Sequence, residues 1–243
     1  MFSEIEKAFY IAKKDLKEYY MKPGTISWGL IFPFVFSLAF MIRRGGMSVW
    51  LAPGMISLAL FFGSTSMSAM AIVFERRIDS FERLLLFPIS YVCIALGKSL
   101  SSFVLGIIAL IPVLILAEIF TSTPPLNPLL LVVCVLLATF TSSTFGVLLS
   151  FLIKDPSQTM TIFNIVRFPM MFLSNVIISV NTFPQILKII SLLMPLTYIT
   201  EAIRYSYSGI YDIIPPYMSL SVTAILGILF LYLSSLVIKR NIP

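Results

Sequence analysis

The run FERRIDSFERLLLFPIS, residues 74–90, is a charged island between two long apolar segments. Ionisable side chains are costly to place in hydrocarbon, so a run that joins two membrane spans and carries many of them must emerge from the membrane. Six lie close together here: Glu75, Arg76, Arg77, Asp79, Glu82 and Arg83. The run therefore predicts a polar connection between two transmembrane helices.

The same run predicts a short helix with one apolar face. Asp79 and Glu82 have the spacing of a capping box, and Pro88 supplies a stop. Three apolar side chains share one face at i, i+3 and i+4: Phe81, Leu84 and Leu85. A helix of about two turns is unstable alone in water, so we expect this face to lie on another surface. Our hypothesis is that the surface belongs to another protein.

The overall composition is that of a polytopic membrane protein. Hydrophobic residues make up 58% of the chain and charged residues 12%, and the mean hydropathy is +1.00. Soluble domains are far more polar. The 243 residues leave room for about six spans of roughly 20 residues each. We therefore expect no separate soluble catalytic domain within these residues.

Two further features of the composition exclude classes of site. The chain has no histidine, which excludes imidazole metal sites and histidine-based acid–base chemistry. The net charge of +6 could suggest nucleic acid, but the basic residues lie at the edges of the predicted spans. Orientation in the bilayer explains them better, so we expect contact with membrane lipids and none with nucleic acid.

The pattern predicts one all-α integral membrane domain over residues 1–243. An N-terminal amphipathic helix, residues 1–24, is expected to lie in the membrane interface. Six transmembrane helices follow, at residues 26–42, 49–74, 90–120, 126–153, 159–180 and 217–238. The polar loop 75–90 separates the second span from the third.

The segment 181–216 does not read as a continuous span. Its apolar run is broken by Lys188 and Pro195. Apolar runs of about 10 to 14 residues are usually re-entrant or interfacial. We therefore predict two short re-entrant half-helices on the outer side of the membrane.

The distribution of positive charge predicts the orientation. Six spans place both termini on one side, and with cytoplasmic termini twelve Lys and Arg residues lie inside and four outside. Membrane proteins show this bias. The pair Arg43 and Arg44 falls on the outer side against the rule, and we expect these side chains to snorkel toward the headgroups.

The tripeptide Gly97-Lys98-Ser99 matches the end of a phosphate-binding loop. The motif needs a second glycine five positions before Gly97, where this chain has Val92. We therefore interpret Lys98 as a lysine at the membrane edge. If the protein uses nucleotide energy, the ATPase must be another chain.

Small residues recur every four positions in the fourth span. They are Ala138, Ser142, Gly146 and Ser150, and Ser64 and Ser68 repeat the pattern in the second span. Such stripes let helices approach closely. They fit either packing within one subunit or an interface between subunits.

Three ionisable residues lie within apolar segments. Arg167 is in the middle of the fifth span, where it fits either a polar patch in a translocation route or a structural hydrogen bond. Glu201 and Arg204 are three residues apart, so on one helix they share a face. They fit either an exposed structural pair or a gate at the outer mouth.

Two groups of residues resemble the permease subunit of type 2 ATP-binding cassette exporters. The first is Glu75-Arg76, Ser80 to Leu85, Pro88-Ile89-Ser90 and Gly97-Lys98. The second is Pro169, Phe172-Leu173-Ser174, Pro184, Pro195 to Tyr198, Glu201-Ala202 and Arg204. The resemblance covers essentially the whole chain. Two positions depart from it, because Asp79 and Asn175 stand where that family usually has glycine.

The resemblance implies roles for these residues. It implies a cytoplasmic coupling helix that docks on an ATPase through Glu75, Arg76, Ser80, Phe81, Glu82, Arg83, Leu84, Leu85 and Pro88. It implies an outer gate formed by Pro184, Pro195, Tyr198, Glu201 and Arg204. Arg167 is a candidate for the pathway, and no catalytic or metal-binding residue is expected.

The resemblance also implies an assembly. A half-sized permease would pair with a second permease subunit, identical or homologous, and with two ATPase subunits that bind ATP and magnesium. This chain would hold no cofactor itself. We expect efflux of an amphipathic, lipid-like or drug-like substrate across the cell membrane of a prokaryote, with both termini cytoplasmic.

The sequence also leaves other classes of function open. An ion-driven secondary transporter of a small hydrophobic substrate would need intramembrane acids, and the spans offer only Glu118, at an outer edge. An intramembrane enzyme lacks a plausible set of nucleophile and base. A membrane adaptor without transport activity is the remaining alternative.

Overall fold

The computed structural model describes residues 3–43, 50–121 and 123–240, with side chains except at residues 41–43. All regular elements in these ranges are helical, and the same ranges contain no β-strand. This confirms the all-α fold. Arg44 and the side chain of Arg43, which we expected to snorkel outward, lie outside the described part of the chain.

The helices follow the order of the predicted segments. Their bounds are α1 Glu4–Tyr19, α2 Pro23–Ile26, α3 Phe32–Arg43, α4 Leu51–Arg77, α5 Ser80–Leu85, α6 Tyr91–Thr121, α7 Pro128–Leu152, α8 Thr159–Leu173, α9 Gln185–Leu192, α10 Pro195–Ser208 and α11 Pro216–Arg240. A π-helical turn, Ser27–Ile31, joins α2 to α3 without a break.

Most of the predicted spans are present. Within the described residues, five helical stretches are long and apolar enough to cross a membrane: Pro23–Phe40, Leu51–Arg77, Tyr91–Thr121, Pro128–Leu152 and Pro216–Arg240. A sixth is reached if the bent pair α9 and α10 counts as one span. The chain is therefore a multi-pass integral membrane protein, as its composition predicts.

The centre of the bundle is α4. Its most apolar 18-residue window is entirely buried, whereas only 22% of the corresponding window of the first span is buried. Helices α6, α7 and α10 surround α4. The other spans therefore face the lipid with part of their apolar surface, and α4 does not.

The predicted fifth span is shorter than expected. Its helix, α8, ends at Leu173 after 15 residues, which is about 22 Å of helix. The chain then turns at Asn175, whose backbone is left-handed with φ of 61°. Asparagine tolerates this conformation better than most residues, so it can end a helix as glycine does.

The predicted half-helices are α9 and α10. They meet at an angle of 86°, and Pro195 is in the first turn of α10, where a missing N–H costs nothing. Ten of the 14 residues of α10 are buried. This helix is therefore part of the core, packed on α4, α7 and α11, rather than a loosely attached outer segment.

The N-terminal helix α1 packs against α6 through one face. Its buried residues are Ala8, Ile11, Ala12, Asp15 and Tyr19, while Ile5 and Phe9 point outward. A capping box between Ser3 and Glu6 begins the helix. Helix α1 thus has two apolar faces. One packs on the rest of the protein, and the other, which carries Ile5 and Phe9, is exposed.

Both described ends of the chain lie at the same end of the bundle as the charged run. Ile11 of α1, Ile94 of α6 and Ile238 of α11 belong to one cluster of buried apolar residues, against which Phe81 packs. We call this end the base. The even number of crossings predicted from the sequence requires this arrangement.

The small-residue stripes are used within the subunit. Ala138, Ser142, Gly146 and Ser150 of α7 are all buried, and so are Ser64 and Ser68 of α4. Ser68 Oγ lies 2.7 Å from Ser102 Oγ of α6. The stripe therefore brings α4, α6 and α7 together in one chain.

Replacing Gly146 with valine should destabilise this packing. A Cβ atom on Gly146 would lie 2.8 Å from Ser68 Oγ and 3.0 Å from the backbone Cα of Thr65. Overpacking of this kind costs about 1–3 kcal/mol. We expect a lower unfolding temperature in detergent, and little change for Ser221→Val on the exposed face of α11. Equal unfolding temperatures for the two variants would contradict the close approach.

Candidate functional site

The charged run forms a short helix that begins at an unusual residue. Asp79 precedes α5 with a left-handed backbone, φ of 52°, and its side chain caps no backbone N–H group. The predicted capping box between Asp79 and Glu82 is therefore wrong. A capping residue normally has an extended backbone, and the left-handed turn at Asp79 replaces that geometry.

The apolar face of α5 lies on the chain itself. Phe81, Leu84 and Leu85 pack against the apolar cluster at the base, and the rings of Phe81 and Phe151 have centroids 5.2 Å apart. The surface that we expected another protein to supply is therefore provided, at least in part, by this chain. The ends of α4, α6 and α7 supply the surface that so short a helix needs.

The opposite side of the run is exposed and also apolar. Leu86 is 86% exposed, Phe87 61% and Ile78 60%. Glu82 and Arg83 are exposed beside them. We call these five residues the outward surface. It combines large apolar side chains with both signs of charge.

One residue that the resemblance assigned to ATPase contact, Glu75, is instead buried in a charge cluster. Lys98 is fully buried and pairs with Glu75 and with Asp15, whose Oδ2 lies 2.9 Å from Lys98 Nζ. Lys14 pairs with Glu75 from the surface. Lys98 thus lies inside the protein rather than on its surface, and Glu75 does not lie on the outward surface. The cluster joins α1, α4 and α6.

Burial perturbs the acid that α1 contributes to this cluster. Desolvation raises the pKa of the Asp15 carboxyl above its ordinary value, and the ammonium group of Lys98 opposes the rise. The ion pair between Asp15 and Lys98 therefore offsets part of the cost of burying the carboxylate.

Three other predicted coupling residues make contacts within the base. Arg76 donates hydrogen bonds to the carbonyl oxygens of Ile153 and Lys154, at 2.5 and 2.7 Å. Ser80 Oγ donates to the carbonyl of Glu75 at 3.4 Å. The carbonyl of Pro88 accepts a hydrogen bond from Lys7 Nζ at 3.0 Å. The bonds of Arg76 and Pro88 connect the charged run to the end of α7 and to α1.

Hydrogen bonds join the start of α1 to the end of the charged run, and we call them the clasp. Glu4 accepts hydrogen bonds from Lys7 Nζ at 2.7 Å and from Ser90 Oγ at 2.5 Å. These bonds hold the pKa of the Glu4 carboxyl at about 2, well below its usual range. The clasp therefore persists over the whole physiological pH range.

The predicted outer pair is buried rather than exposed. Glu201 and Arg204 have no exposed side-chain surface, with 3.6 Å between Arg204 Nη1 and Glu201 Oε1. Arg204 Nη2 donates to the carbonyl of Asn175 at 2.6 Å, and the Asn175 amide donates to Glu201. The guanidinium also stacks 3.6 Å from the ring of Trp50.

Proline and tyrosine residues fix the bend between the half-helices. Pro184 and Pro195 stand at the starts of α9 and α10. Tyr198 Oη donates a hydrogen bond to the carbonyl of Leu192 at 2.8 Å, across the bend. The residues predicted for the outer gate thus all lie in the bent pair of helices α9 and α10 or at its start, and they include the buried pair Glu201 and Arg204.

Arg167 is buried without a counter-ion in the described part of the chain. Its Nη1 donates to Ser66 Oγ at 3.1 Å, and its guanidinium lies 4.7 Å from the ring centroid of Phe163 and 5.2 Å from that of Phe62. Insertion scales give about 2.5–3.5 kcal/mol as the cost of an unpaired arginine at the membrane centre.

Sequence reasoning missed two residues of these sites. Asp15 is four residues from both Ile11 and Tyr19, so it lies on the apolar face of α1. An acid on an apolar helix face is the signal that could have identified it. Trp50 gave no signal, because its contact with Arg204 joins segments more than 150 residues apart. Among the described residues no cluster of acids and cysteines is arranged to hold a metal ion.

Removing the central cation of the cluster should destabilise the fold strongly. Lys98→Met leaves the carboxylates of Asp15 and Glu75 buried with only Lys14 nearby. Loss of one partner from a buried ion pair costs about 3–5 kcal/mol. We expect a large drop in the unfolding temperature of the detergent-solubilised protein. Lys239→Met, an equal change of charge at an exposed site, should cause none. A Lys98→Met variant as stable as the wild type would contradict the cluster.

Comparison with known proteins identifies the family. The ABC-2 type transporter family matches residues 6–207. A relative from Cyanophora paradoxa, named "Putative transport permease ycf38", is 25% identical over 220 residues, covering 84% of this chain and 75% of the relative. A relative of the same name from Porphyra purpurea is 26% identical over 224 residues, with the same shares covered.

These matches confirm the resemblance seen in the sequence. The matched region extends from α1 through α10, so it contains the charge cluster, the outward surface, Arg167 and the buried outer pair. Permeases of this family form the membrane-spanning part of transporters and work with ATPase subunits. The chain belongs to the ABC-2 type transporter family, as a transport permease subunit.

Proposed function

We propose that this chain forms the translocation pathway of an ATP-driven exporter for an amphipathic, lipid-like or drug-like substrate. A second permease subunit, identical or homologous, completes the membrane part. Two ATPase subunits bind ATP and magnesium and hydrolyse the nucleotide. The observation that carries the proposal is the outward surface, which exposes apolar side chains at the base beyond the ends of the spans.

The outward surface has the properties of a docking site for a soluble protein. Leu86 and Phe87 are large apolar side chains in a polar loop, where exposure to water is unfavourable. Glu82 and Arg83 beside them supply charges that can fix the orientation of a partner. The ATPase subunit is the partner that the family requires. We assign it to this surface.

The contacts of the run explain how a movement of the ATPase would reach the membrane. The inner face of α5 packs on the ends of the spans, and Arg76 holds the turn that connects α7 to α8. The charge cluster adds α1 to the same rigid base. Closely packed elements move as units, so displacement of α5 displaces the base of α4 and α6.

The outer half-helices α9 and α10 act as the gate in this proposal. The buried pair Glu201 and Arg204 joins α10 to the turn at Asn175, which follows α8. The gate and the end of α8 would then move together. ATP binding and release at the base would alternate this unit between a closed and an open position.

Replacing the apolar side chains of the outward surface with acids should weaken docking of the ATPase. Leu86→Glu combined with Phe87→Glu places two carboxylates where we expect an apolar contact, and we expect at least about a tenfold loss of ATPase binding. Co-purification of the ATPase subunit and ATP-dependent transport in vesicles measure the effect. Because both side chains are exposed, the unfolding temperature of the permease should stay unchanged.

Two variants serve as controls for this test. Leu126→Glu makes the same change at a leucine that is 72% exposed at the opposite end of the bundle. Phe81→Ala removes an inner contact and should lower stability instead. Normal ATPase binding by the double variant would refute the docking surface. Transport that continues after ATP depletion, with the ion gradients held constant, would support the ion-driven alternative.

The proposed orientation places the base and both termini in the cytoplasm of a prokaryotic cell. The excess of Lys and Arg at that end supports it. In a variant without Cys93 and Cys134, a single cysteine at Leu193, 79% exposed between the half-helices, should react with an impermeant maleimide in intact cells. A cysteine at Leu86 should react only after the membrane is opened. The reverse pattern would overturn the orientation.

A further inference from the structure

Arg167 carries hydrogen-bond donors that the chain does not use. The side chain has no exposed surface, and its Nε and Nη2 atoms have no hydrogen-bond partner in the described part of the chain. Ser66 Oγ satisfies only Nη1. Buried donors of a charged group are normally paired, so this guanidinium lacks an anionic or polar acceptor.

A second unsatisfied group lies on the same helix. Asn164 Oδ1 is buried without a partner, and Asn164 and Arg167 are three residues apart on α8, which places them on one face. The amide carries both a donor and acceptor. The spare donors belong to Arg167, whereas the unsatisfied atom of Asn164 is an acceptor.

An apolar groove adjoins this group. It has a volume of about 460 Å³ and is lined by residues of the first span, among them Trp28, Ile31, Phe32 and Val35. The ring of Phe32 lies 4.8 Å from that of Phe62, and Phe62 is the ring beneath the guanidinium of Arg167. The rings of Phe32 and Phe62 therefore lie in sequence between the groove and the unsatisfied donors.

The backbone at the groove is unusual in its own right. The π-helical turn Ser27–Ile31 contributes Ser27, Trp28 and Ile31 to the lining. π-helical turns are rare and are frequent at functional sites. This feature points to the same place as Arg167 without depending on any charge.

We infer that this site binds an anionic amphiphile, with its acidic headgroup on Arg167 and its apolar part in the groove. The inference rests on the proposed function, because it names the substrate class of the same exporter. A carboxylate or phosphate supplies acceptor oxygens for Nε and Nη2 in the side-by-side geometry that guanidinium groups favour.

The counter-ion has to enter the subunit to reach Arg167. The guanidinium is sealed inside a single chain, so a second permease subunit packed on the outside does not touch it. Entry requires the rings of Phe32 and Phe62 to turn aside. A headgroup that enters with its chain in the groove displaces these two rings first.

The test uses the full-length permease in nanodiscs of neutral lipid, with Trp50→Phe in every variant. The chain has two tryptophans, so Trp28 in the groove becomes the sole reporter. The probes are an alkyl phosphate and an alkyltrimethylammonium with the same brominated chain, which quenches tryptophan on contact. We expect the phosphate to quench Trp28 at concentrations about 10- to 100-fold lower than the cation.

Variants at position 167 identify the group that selects the phosphate. Arg167→Met should remove the preference for the phosphate, and Arg167→Lys should retain part of it. Lys239→Met, which removes an exposed charge at the base, should retain all of it. Equal quenching by both probes, or an unchanged preference in Arg167→Met, would overturn the inference. If Arg167→Met does not fold, the Trp50→Phe protein with Arg167 intact and its Arg167→Lys variant still decide it.

The outcomes distinguish this inference from the proposed function. Headgroup-selective quenching that is lost with Arg167, in a permease that neither binds an ATPase nor transports, supports the site and contradicts the exporter. ATP-dependent transport that is equally fast for the wild type and Arg167→Met, with both probes as substrates, supports the exporter and contradicts the site.

Discussion

Lys98 lies between two carboxylates in a part of the molecule that water does not reach. A buried ammonium group is tolerated there only because Asp15 and Glu75 surround it, and each carboxylate depends on the ammonium in the same way. Gly97 makes this possible, because a Cβ atom there would lie 2.7 Å from Cβ of Ile11. The N-terminal helix is therefore fixed to α4 and α6, and the base is built around this contact.

The central helix α4 connects the base to the opposite end of the bundle. Glu75, near its last turn, belongs to the charge cluster. Gly54, near its first turn, packs so closely on the segment after α8 that a Cβ atom would lie 2.0 Å from the carbonyl oxygen of Val176. One helix, buried along most of its length, thus contacts both the proposed coupling site and the proposed gate. Because packed interiors resist deformation, a movement at one end has to be accommodated at the other.

Two residues between helices adopt a left-handed backbone conformation, one before α5 and one after α8. Asp79 and Asn175 are the non-glycine residues with positive φ in the described ranges, and they stand at the two positions where the family resemblance leads one to expect glycine. Aspartate and asparagine tolerate this conformation better than other side chains. These two residues therefore allow the chain the left-handed turns that it makes before α5 and after α8.

The sequence by itself determined the helical membrane fold, the family, five of the spans and the broken helix pair α9 and α10, because each depends on local hydrophobicity or on residue order. It did not determine which side of α5 faces outward or that Lys98 is buried. The spacing of apolar residues predicts that Phe81 packs against another surface, but only the tertiary structure shows that its neighbour is Phe151 of the same chain. Likewise, a lysine near the end of a span looks exposed until a distant helix brings Asp15 beside it, since burial and pairing are properties of the assembled bundle.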